Sequence, residues 1–375
     1  MCRKILFVLF LLSSVLFGDF DYTVENTNIT LSSDGNISLY NYNRLRLRSD
    51  YTQDNFFVTF IGDGINYLGA DYVDSDTFSF IEKLRSNTPF KTQTTFKEYS
   101  KGSAYAKVYR AYGGYEDGQN RVVVGLQNIN MGVGRIWTPT NLYNPKNSYA
   151  LESDEVFGVA AMLYTRHLDD TSHITVVANQ NADDALQYGA RYKTYLNFAD
   201  FALDLISLDD ILMLGYELEA NLADTGIEVR SEGVYIKTVL DSSSEDEIFY
   251  QGIVGADYGF ENGVTLLVEA LYSSQSFSYE TIAENFDMQI SSNLLYSNFY
   301  LGSSLSYSFN IFLSASLLYI ESFNEQNSRF ISPAIDYSFN DYNSFSLAAM
   351  LQDGSHHSEF GMIKNSYFFK YSLVF

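Results

Sequence analysis

The sequence predicts an all-β chain folded as one transmembrane antiparallel β-barrel of about 18 strands, with 16 as the lower count. Three observations predict it. Segment after segment alternates apolar and polar residues with a period of two, the pattern of a strand with one face in lipid and one in water. The 31 Tyr and 29 Phe of this 375-residue chain suit a wall of many strands girdled by aromatic rings. Beyond the N-terminal leader, no stretch carries the ~20 apolar residues that a membrane helix needs.

Met1 to about Gly18 reads as a Sec signal peptide, too short for a membrane span. Arg3 and Lys4 form its charged region, and Ile5 to Phe17 an apolar run broken by Ser13 and Ser14. Cleavage is expected after Gly18, leaving 19–375 as a single barrel domain in the Gram-negative outer membrane. The one cysteine, Cys2, falls in the leader, so the remainder can form neither a disulfide nor a thiolate metal site. The formal charge of -23 argues against nucleic acid as a partner and fits acidic loops facing outward.

In chain order, strands are expected near 22–31, 37–49, 55–68, 104–114, 120–130, 156–166, 172–178, 186–196 and 198–206. The second half adds 211–221, 226–239, 248–258, 263–272, 294–308, 311–321, 329–338, 344–352 and 367–375. The connections sort by length, as a barrel with short periplasmic turns and long outer loops requires. Tight turns fall at Gln53-Asp54, Asp117-Gly118, Asp169-Asp170, Leu196-Asn197, Ala223-Asp224, Glu261-Asn262, Phe309-Asn310 and Asn340-Asp341. Every long connection (69–103, 131–155, 273–293, 353–366) lies at the other end. In 69–103, Phe78, Phe80, Ile81 and Leu84 are spaced for a short amphipathic helix, which could plug the lumen or cover its own strand tips.

The last strand carries Tyr367, Phe369, Tyr371, Leu373 and Phe375 on one face, with Lys370 and Ser372 on the other. It resembles the terminal strand of bacterial outer-membrane barrels, which ends in Phe and is read by the barrel assembly machinery. That resemblance makes Phe375 the expected assembly signal.

Arg44, Arg46 and Arg48 alternate with Leu45 and Leu47, which places three guanidinium groups on one face of one strand. With Arg121, Arg191 and Lys193 they could form a basic wall, opposed by an acidic wall of Asp200, Asp204, Glu217, Glu219, Glu228, Glu232, Asp257 and Glu269. Opposed walls filter ions and orient polar solutes, or else brace a closed lumen with salt bridges; the alternation alone leaves both open.

A second signal runs from Gly125 to Pro145, with Gly132, Gly134, Arg135, Trp137, Pro139, Asn141, Tyr143 and Pro145. Glycines permit tight turns and prolines stiffen them, so the segment suits a loop folded against the inner wall. Its Gly-Arg step followed by Trp-x-Pro-x-Asn-Leu-Tyr-Asn-Pro resembles a group of large porin-like outer-membrane barrels, alginate-export-type porins included. The resemblance covers roughly 20 residues and the hairpin plan. It implies a loop that lines or narrows the pore, with Arg135 and Trp137 at the constriction.

The reading that follows is a porin-like channel for passive diffusion of small hydrophilic solutes or ions. It needs no cofactor or metal and performs no enzymatic chemistry. Its partners are outer-membrane lipid and lipopolysaccharide, the assembly machinery and the solutes, with a homo-oligomer left open. The alternative is a loop-plugged barrel serving as adhesin, receptor or scaffold. An enzyme fits poorly, because the histidines are limited to His167, His173, His356 and His357 in turns and an acidic loop. The acidic stretches at Asp183-Asp184 and Asp241 to Glu247 lack set calcium-ligand spacing.

Overall fold

The computed structural model describes residues 19–375 apart from 34–35, 76–77, 79–85, 154, 242–244, 325–326 and 363. The leader, Met1 to Gly18, lies outside the described residues.

The first segment is a full strand, β1 (Asp19–Ser33), paired on one edge with β2 (Asn36–Gln53) and on the other with the last strand, β19 (Asn365–Val374). That seam closes the sheet, with Thr23 opposite Val374 and Ser32 opposite Asn365. Chain order continues through β3 (Phe56–Leu68), β4 (Gln93–Tyr99), β5 (Gly102–Glu116), β6 (Asn120–Gln127), β7 (Val159–His167), β8 (His173–Gln180) and β9 (Leu186–Tyr195). It then runs through β10 (Asp200–Leu208), β11 (Ile211–Asn221), β12 (Ile227–Val239), β13 (Asp246–Gly259), β14 (Val264–Ser273), β15 (Phe299–Ser308), β16 (Leu313–Phe323), β17 (Ser328–Asn340) and β18 (Asn343–Asp353). All but β4 stand in a closed antiparallel barrel of 18 strands, the number the alternation pattern predicts.

Strand β4 corrects the reading of the 69–103 insertion. The edge of β5 pairs with β6 only from Ala111 to Glu116, so its upper part is left unpaired by the wall. The Thr-rich segment Gln93–Tyr99 takes that vacant edge, opposite Gly102 to Lys107. An open strand edge in a membrane wall leaves amide groups without partners, and β4 supplies them. A helical turn forms at Ala70–Val73. Of the residues expected in a helix, Phe80, Ile81 and Leu84 lie outside the described residues, while Phe78 is buried at 2 % exposure against Tyr67 and Tyr72.

The turns at one end of the barrel are tight because their Asx side chains cap them. Asp117 accepts the amides of Gln119 and Asn120, Asn310 those of Phe312 and Leu313, and Asn340 those of Tyr342 and Asn343. Asp54 and Asn197 take the left-handed φ that such short turns require.

Side chains separate by face as the two-residue period dictates. Leu45, Leu47, Leu186, Tyr188, Leu212, Leu214, Tyr367 and Phe369 stand exposed on the outside. Their neighbours Arg44, Gln187, Met213 and Glu217 are buried inside. Among the described residues no helix is long and apolar enough to cross a membrane. Phe375 closes the outer seam, stacked between Tyr22 at 5.0 Å and Tyr342 at 5.4 Å, with its backbone paired to Tyr22. A polar island lies on the outer face of β1 and β2, where Asn26, Asn28, Asn41 and Asn43 satisfy one another's amides.

The core sits inside the barrel. Residues from 128–158, 274–298 and 354–364 pack inward on the wall, and Tyr72 and Phe78 do the same beside Ile29 and Tyr40.

Candidate functional site: a loop stretched across the lumen

The connection from β6 to β7, residues 128–158, folds into the barrel as a compact unit. Asn141 and Asn144 hold its turn, Asn141 donating to the Asn144 carbonyl and accepting from the Asn144 amide. The Asn144 side chain ties both ends together, accepting from the Ile129 amide and donating to the Phe157 carbonyl, each at 2.6 Å. Leu142 and Tyr143 pack on the inner wall with Val177, Ile206 and Met213. Tyr143 fits because Gly189 opposite it has no side chain to meet the phenol. Ile136 and Trp137 pack into a second cluster with Ile253, Leu271 and Tyr300.

Buried glutamates of the facing wall hold the loop by its backbone. Glu269 on β14 accepts the amides of Arg135, Ile136 and Trp137 at 3.0, 3.1 and 2.8 Å. Glu232 on β12 accepts those of Val133, Gly134 and Thr140, together with the Thr140 hydroxyl. Glu217 on β11 accepts the Gly132 amide at 2.7 Å and the Arg191 guanidinium at 2.5 Å. Oriented backbone N–H groups compensate the carboxylates where water cannot, which is how such charges are tolerated inside. Gly132 is required here twice, by its φ of 92° and by the Glu232 carboxylate that would lie 2.8 Å from any Cβ.

The far end of the loop reaches the opposite wall. Strands β2 and β12 stand half the ring apart in a barrel of 18. On β2, Arg44 pairs with Glu152 of the loop at 2.9 Å and with Glu25 of β1, and lies 3.5 Å from Glu155. Arg46 is held by Asp63 of β3 at 2.8 Å and by Glu155 at 2.6 Å. Lys370 of β19 joins Glu25 at 3.0 Å and Glu152 at 2.5 Å. Burial works against the charge of Glu155, yet the bonds from Arg46 and the nearby Arg44 hold its carboxyl below the usual carboxylate range. Lys107 lies over the rings of Tyr109 and Phe157, and Arg110 donates to the carbonyls of Tyr109 and Val156. A cavity of about 410 Å³, lined by Thr23, Glu25, Arg44, Arg46, Glu152 and Glu155 among others, lies beside this cluster.

Several residues singled out in the sequence stand elsewhere than their grouping implies. Arg191 belongs to the acidic wall, beside Glu217 at 2.5 Å and Asp204 at 3.8 Å, and not with the β2 arginines. Arg121 pairs with Glu116 next to a tight turn, and Arg48 with Asp50, both far more exposed than Arg44. Lys193 on β9 pairs in register with Ala202 and His173, and Asp200 with Glu219 and Tyr195, which puts both at the same end of their strands. Trp137 is only 8 % exposed and anchors the loop to the wall instead of facing the lumen. Pro139 and Tyr143 are likewise packed, and the Pro139 carbonyl accepts from Asn293. Pro145 is half-buried where the loop turns back. Arg135 is the part of the motif that stays open, reaching Glu219 at 3.1 Å and Glu228 at 2.8 Å.

Sequence reasoning passed over Glu152, Glu155, Glu25, Asp63 and Lys370. Their local pattern shows at most which face they take, because their partners are 17 to 345 residues away. Glu232 and Glu269 are recognisable as inward acids, but their pairing with loop amides is not.

No family model matches the chain and no curated protein matches it. Solved structures do share its fold. The crystal structure of OccAB1 from Acinetobacter baumannii is similar at a TM-score of 0.62 and 10% identity, over 96% of each chain. OccAB4 of the same organism gives 0.62 and 11%, over 96% of this chain and 98% of the other. OccD3 (OpdP) of Pseudomonas aeruginosa gives 0.58 and 9%, over 95% and 91%. At such identities the likeness speaks for architecture alone: a closed antiparallel barrel, matched over nearly the whole of each chain.

Proposed function

We propose that this barrel is an outer-membrane channel through which small hydrophilic solutes diffuse passively, narrowed where residues 128–158 cross the lumen. The observation that carries the proposal is the suspension of that loop between walls of opposite charge. Its amides rest on Glu217, Glu232 and Glu269, and its acids rest on Arg44, Arg46 and Lys370. A loop fixed at both ends leaves a defined aperture, and the field between the walls orients whatever polar solute passes.

The similar barrels support this reading. One of them, OpdK of Pseudomonas aeruginosa, was crystallised with vanillate, a small aromatic acid. A solute of that kind would meet the β2 arginines here as a carboxylate seeking a guanidinium. The neighbours bear on the porin-like part of the loop resemblance and lend nothing to alginate export. In this reading Met1 to Gly18 directs Sec export, residues 19–375 form one domain, and Phe375 is presented to the assembly machinery. No step calls for a catalytic group.

A second reading, a plugged barrel that binds at the surface, draws on the inward packing of Tyr72, Phe78, Phe277, Ile290 and Phe360. Purified protein in a planar bilayer under a KCl gradient separates the two. The channel reading expects discrete conductance steps and a stable reversal potential; a silent, correctly folded barrel would favour the plug.

A further inference from the structure

We infer that Glu152 and Glu155 are specificity-determining residues of the channel, serving as tethered carboxylates that hold the anion positions on the arginine ladder and exchange with a passing solute carboxylate. The inference rests on the channel reading above and adds to it the residues that control access to the basic wall.

Two kinds of counterion meet the ladder. Glu25 and Asp63 sit on the neighbouring strands β1 and β3, with side chains 10 % and 2 % exposed, and are fixed by the barrel itself. Glu152 and Glu155 belong to an irregular loop segment, are each 28 % exposed, and line the cavity of about 410 Å³ into which Arg44 and Arg46 also face. Removing the loop acids would leave one fixed carboxylate on each guanidinium, Glu25 on Arg44 and Asp63 on Arg46. The wall would stay compensated while its spare donors became available.

The geometry of the pairs suits exchange. Arg44 meets Glu152 through both terminal nitrogens, at 2.9 and 3.0 Å, and Arg46 meets Glu155 in the same two-pronged way at 2.6 and 2.9 Å. These are the contacts a free carboxylate would make. A side chain on a short tether competes at millimolar effective concentration, so it excludes weak anions and yields to a well-fitting acid. Lys370 bridges Glu152 and Glu25 and would keep the vacated position cationic.

The test compares wild type with the Glu152→Gln, Glu155→Gln double variant in planar bilayers. Reversal potential is read in a KCl gradient, and sodium succinate is then titrated against the KCl current. The chloride-to-potassium permeability ratio is expected to rise severalfold in the double variant. The succinate concentration that halves the current is expected to fall severalfold, because the tethered competitor is gone. The single variant Glu155→Gln should move both readings in the same direction by less. Unchanged ratio and unchanged succinate sensitivity in a conducting double variant would overturn the inference and leave the channel reading intact. A double variant that cannot fold would also overturn it, since the acids would then be structural counterions. A wild-type barrel that carries no current would remove the channel reading itself, and this inference with it.

Discussion

Replacing Glu269 by Ala should release the stretch of loop that carries Trp137. Glu269 is fully buried and takes the amides of Arg135, Ile136 and Trp137. Hydrogen bonds to a charged group contribute about 1.5 to 3 kcal/mol each, and the freed amides recover part of that from water once the loop lifts. The net loss is about 3 kcal/mol, which at 1.4 kcal/mol per decade shifts the docked-to-released ratio by about a hundredfold. Glu232 and Glu217 still hold residues 132–134 and 140, so release should stay local. Trp137 is the one tryptophan of the chain, so its emission reports on docking without labelling. The expected result is a red-shifted emission together with larger, noisier single-channel conductance, and Glu269→Gln should fall between Ala and wild type. A folded Ala variant with unshifted emission and unchanged conductance would refute the staple argument.

Glu359, in the inward-folded 354–364 connection, gives a pH prediction. Its carboxyl is buried beside Tyr300, Ser322 and Tyr149 with one oxygen unpartnered, and burial pushes it from its ordinary value near 4.5 up to about 7. The folded state therefore holds a proton that the unfolded state has lost between those values. Stability should be full below about pH 4.5 and fall by roughly 3 kcal/mol as pH rises through 7, and Glu359→Gln should flatten that slope in heat-modifiability melts. Deleting Phe375 removes the ring stacked between Tyr22 and Tyr342, and should lower the amount of folded barrel recovered from membranes. Cysteines placed at Ser355 and Asn340 lie at opposite ends of the barrel, so an impermeant thiol reagent should label the first and spare the second on intact cells; the reverse pattern would invert the topology.

The strands were legible because lipid imposes a period of two that no soluble strand needs so strictly. Leu186 to Lys193 and Leu212 to Glu219 declare their faces residue by residue. The tight turns were legible for a local reason as well, since Asp117, Asn310 and Asn340 cap their own turns. Alternation states only which face a residue takes, and says nothing of where around the ring its strand stands. That is why Arg191 reads as a partner of Arg44, although it sits with Glu217 on a different wall. Strand β4 was hidden because its role depends on the short β6 leaving the edge of β5 vacant. Trp137 reads from the sequence as a residue of the constriction, and its burial was hidden because its packing partners Leu271 and Tyr300 come from β14 and β15.

Arg135 is the open side chain of the loop, 46 % exposed and reaching Glu219 and Glu228 of the wall. The central claim, that solutes pass along an aperture bounded by residues 128–158, is tested most directly by Arg135→Cys in a planar bilayer. A charged methanethiosulfonate reagent added during recording should lower the current in discrete steps, and a thiol reductant should restore it. Complete reaction of the introduced thiol with no change in current would contradict the account.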